Sequence, residues 1–197
     1  DAPPGPRAVT VGLAWIAMCG ATLWQFGAKT AAIRADLSLS QTQVGLTQTA
    51  FFVGHFFGCV IMGRMLAKAN LKQCVGIAAA LMLLGAACSG LPVYALMLFG
   101  RVLTGAGFCS TAMIVTAVIC SGPEFGRAAR IATMHALVAA SASAMYFAAG
   151  PLASLLGGRA AVLWFGGMTT TLAAMLPLAT RLGAVRSSPP ATFGQMA

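Results

Sequence analysis

Residues 93–120 read VYALMLFGRVLTGAGFCSTAMIVTAVIC, a run whose single charge is Arg101. About 20 apolar residues in a helix cross the ~30 Å hydrocarbon core of a bilayer, and this run is longer than that. Its scattered glycines, alanines and small hydroxyl residues suit helices that pack closely in lipid. Working outward on both sides, further apolar stretches recur between short polar links. The pattern predicts six transmembrane helices, at 8–27, 43–66, 73–89, 93–120, 128–156 and 160–182, and therefore an all-α membrane protein. A Pro-rich lead-in, 1–7, precedes them, and a polar, Pro-containing tail, 183–197, follows.

Composition supports this reading and excludes others. Hydrophobic residues make up 59% of the chain and charged residues 8%, with a mean hydropathy of +0.87. A soluble domain carries about a quarter charged residues. Alternating β-branched patterns are scarce, which argues against a barrel. The net charge of +9 comes from basic residues spread singly between apolar segments, without the clustered patch that nucleic acid requires. No nucleophile–base pair or phosphate loop is present, so no enzyme is expected.

Six cysteines (Cys19, Cys59, Cys74, Cys88, Cys109 and Cys120) fall in or beside apolar segments. None has CxxC spacing, so they read as small core residues and not as a metal or disulfide framework. Met62/Met65 and Met134/His135 are the pairs with soft-metal character, but core filling is the more ordinary role of methionine. No metal and no cofactor are expected. The first apolar segment is too long for a signal peptide and lacks a cleavage site in the usual place.

Link chemistry places the ends of the segments. The polar stretch 29–43 holds Lys29, Arg34 and Asp36, and ends in Ser40-Gln41-Thr42-Gln43. That spacing is a capping box, with Ser at the N-cap and Gln at the third helical position. A second box is expected at Ser121-Gly122-Pro123-Glu124. Counting Lys and Arg on alternating sides gives Arg7, Arg64, Lys68, Lys72, Arg127, Arg130, Arg181 and Arg186 against Lys29, Arg34 and Arg159. That asymmetry predicts both termini in the cytoplasm, with the protein in a bacterial inner membrane.

Few residues carry chemistry inside the segments. A cation such as Arg101 costs about 2.5–3.5 kcal/mol at mid-bilayer, so it should face a polar partner or a water-filled cavity, in either a binding or a structural role. The acids Asp1, Asp36 and Glu124 all lie outside the predicted spans. A proton carrier would have to be His55, His135 or a group on another chain, although membrane histidines more often serve helix packing. Gln25 joins Arg101 and His55 as a candidate for lining a pathway.

Two small-residue stripes stand out. One is Ala50, Gly54 and Gly58, the latter two a GxxxG; the other is Ala140, Ala144 and Ala148 beside Ser141 and Ser143. Such stripes pack helices within a chain or present a face to a second bundle. Gly150-Pro151 removes a backbone hydrogen bond and should kink the fifth segment.

These residues together resemble the N-terminal half of the major facilitator superfamily over nearly the whole chain. Residues 35–46, ADLSLSQTQVGL, look like the family's entry into its second helix. Arg101, Gly105 and Gly107 fit the fourth-helix pattern R-x-x-x-G-x-G, and Gly150-Pro151 falls where the fifth-helix Gly-Pro motif lies. Residues 63–72, GRMLAKANLK, are similar to the family's gating loop through Gly63, Lys68 and Lys72. Its usual Asp is Ala67 here, which cannot make the gating charge contact, and its second Gly is Asn70.

The resemblance implies a half bundle of two inverted three-helix repeats, either a half-size member or a fragment. It also implies transport of a small solute only after pairing with a second six-helix bundle, as a homodimer or with another half, through the second and fifth segments. The alternative is a non-transporting structural or assembly subunit of a larger membrane complex, derived from a facilitator half. The expected partners are the lipid bilayer and that second bundle or other membrane subunits, and no nucleic acid.

Overall fold

A computed structural model describes residues 6–28, 30–122 and 124–155. Every element among them is an α-helix: α1 Pro6–Ala28, α2 Thr30–Asp36, α3 Gln41–Leu66, α4 Leu71–Gly90, α5 Tyr94–Cys120 and α6 Arg127–Leu155. By length and composition, four described segments can cross a membrane: Gln41–Leu66, Leu71–Gly90, Tyr94–Cys120 and Arg127–Ala148. Ala8–Ala21 is a shorter apolar helix. The sixth expected span, 160–182, and the tail, 183–197, lie outside the described residues.

The helix starts follow from local chemistry. Ser40 caps α3: its hydroxyl accepts from the Gln43 amide at 3.2 Å, and its own amide donates to Gln43 Oε1 at 2.8 Å. Two otherwise orphaned donors are thereby satisfied. We expect Ser40→Ala to lower stability by about 1 kcal/mol, read as an earlier melting transition in detergent; an unchanged transition would show that α3 does not depend on its cap. Asn70 caps α4 by accepting from the Lys72 amide at 3.0 Å. One of the two residues that depart from the gating-loop pattern therefore has a structural task of its own.

Two local expectations are corrected. The stretch 29–43 is not merely a polar link, because it contains α2, whose Ile33 packs with Leu39 and with Met97 of α5 in a small separate core. The second capping box does not form. Ser121 ends α5, its hydroxyl donating to the Val118 carbonyl at 2.9 Å, and α6 begins only after Gly126, which adopts a φ of 75°. A positive φ suits glycine and interrupts a helix, so the start of α6 is set there.

α5 sits at the centre. α3, α4 and α1 all lie against it, while α6 docks chiefly on α1. Trp15 and Ile16 of α1, Met82 of α4 and Val115 and Ile119 of α5 form the main core. The contacts of α5 are close enough to exclude side chains. A Cβ at Gly54 would collide with the Val102 carbonyl, one at Gly58 would lie 2.6 Å from the Ala106 oxygen, and one at Gly105 would collide with the Phe51 carbonyl. On its other side, a Cβ at Gly107 would lie 2.8 Å from Met82 Cγ. In lipid, where apolar side chains gain little by leaving their surroundings, such backbone proximity is what holds helices together.

This placement decides the role of one stripe. Gly54 and Gly58 are buried against α5 of the same chain and are not a face for a second bundle. The reason is complementarity: α5 presents Gly105 and the Val102 and Ala106 backbones at matching heights. Ala50 is half-buried on the same helix. The outward face of α3 is instead aromatic, with Phe52, Phe56 and Phe57 60%, 63% and 53% exposed. In α6, Ala140 and Ala144 are exposed and Ala148 is half-buried. α6 continues through Pro151 to Leu155.

Candidate functional site

One polar cluster lies where α3 meets α5, while the buried hydroxyls of Thr104 and Ser89 lie on the α4 side of α5 and Thr111 faces Cys19 of α1. Arg101 is 3% exposed; its Nη2 donates to Gln48 Oε1 at 3.4 Å, and its guanidinium lies 4.9 Å from the centre of the Phe51 ring. Arg101 stands two turns into α5 and Gln48 two turns into α3, so the parallel course of the two helices brings them to one level. Charge on the quadrupolar ring face and a side-chain oxygen replace part of the hydration that burial removes. Thr104, one turn further along, turns its hydroxyl back to the Gly100 carbonyl at 2.7 Å and leaves its methyl for packing.

One turn beyond Phe51 on α3 lies His55. Its half-buried ring tilts between Phe51 and Phe108, with centroids 6.0 Å away in each case. Nδ1 is buried and has no hydrogen-bond partner among the described residues. Four residues on, Cys59 comes within 2.6 Å of Cys109 of α5, sulfur to sulfur. His55, Cys59 and Cys109 offer ligand atoms that all lie within 4.8 Å of one another. Sequence reading missed this trio because two of its members are separated by fifty positions, although the i,i+4 spacing of His55 and Cys59 did place those two on one helix face.

The other candidates are dispersed. Gln25 lies in α1, and its side chain is outside the described residues. Gly63 is half-buried, a Cβ there meeting Met113 Cε at 3.3 Å, while Lys68 and Lys72 are exposed at the α3–α4 turn. Gly105 and Gly107 serve helix contact, as described above. His135 is exposed on α6. Of the remaining cysteines, Cys19 and Cys74 are buried, Cys88 is half-buried and Cys120 is exposed.

Residues 15–121 match the family described as Sugar (and other) transporter. The chain belongs to this family. The match runs from α1 through the end of α5 and so covers Arg101, Gln48, His55 and both sulfurs of the close pair. Among curated proteins, none matches the chain. Membership in the sugar-transporter family, with four apolar helices of spanning length, makes this an integral membrane protein of the transporter class. The major-facilitator-like motifs at 35–46, 63–72 and 101–107 fall within this match, and Gly150-Pro151 lies beyond it.

Proposed function

We propose that the chain is one half of a small-solute transporter and works when paired with a second six-helix bundle, with sugars as the first solute class to test. The observation that carries the reading is Arg101, a buried cation held by Gln48 and Phe51 at the α3–α5 contact of a sugar-transporter-family chain. Buried ionisable groups inside membrane bundles are costly and mark pathways more often than packing. Arg101, His55 and Gln25 would line or couple the path. The aromatic face of α3 and the exposed Ala140 and Ala144 of α6 would meet the second bundle. Inverted three-helix repeats would relate the two halves of this bundle.

The asymmetry of basic residues supports an orientation with both termini in the cytoplasm, and a bacterial inner membrane is the location this reading takes. The decisive experiment reconstitutes the full chain into liposomes and follows uptake of radiolabelled sugars, with subunit number measured in parallel. Uptake above that of empty vesicles, confined to the oligomeric fraction, is the expected result. Absence of uptake from every fraction would favour a second reading, a non-transporting assembly subunit. One feature supports that reading: Ala67, exposed where α3 ends, stands in place of the gating aspartate.

A further inference from the structure

We propose that His55, Cys59 and Cys109 form a binding site for a thiophilic d10 cation, Zn(II) or Cu(I), between α3 and α5. The inference stands on these three side chains and does not depend on the transport reading. Their ligand atoms lie within 4.8 Å of one another. An ion bound at roughly 2.3 Å from sulfur and 2.0–2.1 Å from nitrogen holds its ligands about 3.5–4 Å apart, so the trio needs only side-chain adjustment to close on it. The main adjustment is an opening of the Cys59–Cys109 pair from 2.6 Å.

Two local features point to one ion. The Cys59 and Cys109 sulfurs meet directly across the α3–α5 contact. The buried Nδ1 of His55 lacks a hydrogen-bond partner among the described residues, which costs about 1–3 kcal/mol. Coordination through Nδ1 would give this atom its partner and place the ion between it and the two sulfurs.

The donor set also selects the ion. Thiolate and imidazole suit Zn(II) and Cu(I), whereas hard cations such as calcium and magnesium require oxygens. Charge agrees with this choice: Zn(II) with two thiolates and a neutral imidazole is neutral overall, as is Cu(I) with one thiolate, one thiol and the imidazole. Neutral assemblies are the ones a low-dielectric interior accepts. Cys109 is buried, while His55 and Cys59 are only half-buried, which leaves access from the outward side of α3. His55 and Cys109 lie just past the middles of α3 and α5, and Cys59 lies about two turns before the end of α3, so the ion would sit within the spanning part of both helices.

The test uses the full chain in detergent, kept reduced with a phosphine. Zn(II) and Cu(I) affinities are measured against chromophoric chelators of each ion, and Co(II) serves as the spectroscopic probe. The expected result is one tightly held ion per chain, with a sulfur-to-cobalt charge-transfer band. Cys59→Ser and Cys109→Ser should each weaken binding at least tenfold, about 1.4 kcal/mol, while Cys120→Ser at the exposed end of α5 should not. Which chelator loses its metal identifies the ion.

Because variants can misfold, protection of Cys59 and Cys109 from maleimide by added ion is measured on the wild-type chain, and protection is expected. Equal labelling with and without ion would overturn the proposal, as would binding unaffected by either substitution. A mass deficit of two hydrogens, localised to a Cys59–Cys109 disulfide that blocks binding until it is reduced and shows none afterwards, would overturn it as well.

Discussion

Gly54→Leu should separate α3 from α5 and cost at least about 3 kcal/mol, at the upper end of the range for overpacking. The added Cβ would collide with the Val102 carbonyl, which is backbone and cannot rotate away. Relief requires the two helices to move apart over the stretch where Gly58 and Gly105 also make backbone contact. Gly45 supplies the control on the same helix, because nothing lies within 4 Å of a Cβ built there. Gly45→Ala should leave stability unchanged or raise it by up to about 1 kcal/mol through helix propensity. Unfolding in mixed micelles of dodecyl sulfate measures both. Equal behaviour of the two variants would mean that α3 and α5 do not pack through glycine.

Replacing Arg101 by methionine should separate function from folding. The guanidinium is almost wholly buried, and its hydrogen bond to Gln48 and contact with Phe51 compensate only part of the desolvation. An apolar side chain of similar length removes that cost, so Arg101→Met should fold at least as stably as the wild type. Sugar uptake should nevertheless fall about a hundredfold, some 2.7 kcal/mol, if the cation binds or couples. Micelle unfolding and liposome uptake are measured on the same preparations. Unchanged uptake would remove Arg101 from the pathway, and a parallel loss of stability and uptake would make it a structural charge.

Each of these outcomes depends on what the local sequence specifies. The Ser40–Gln43 box was legible because both partners lie within one turn, and it forms as that spacing requires. The same rule failed at Ser121, which closes α5 instead of opening the next helix, so that α6 starts only at Arg127, after Gly126. α2 was not legible, since seven residues have little intrinsic helicity and its anchor is the contact of Ile33 with Met97 far along the chain. Arg101 was legible as a charge in an apolar run, but its partners were not. The glycines of α3 showed that two backbones would touch and left open which ones.

The sequence by itself determined that this protein is made of lipid-length helices, where α3 begins, and which cation must be accommodated inside. These are consequences of composition and of interactions within a turn or two, and lipid makes them stringent by leaving no water to satisfy a bare backbone. Only the tertiary structure decided that Gly54 meets Val102, that Gln48 and Phe51 hold Arg101, and that two sulfurs and an imidazole converge. Residues about fifty positions apart become neighbours through the shape of two whole helix faces, and no local pattern encodes that match.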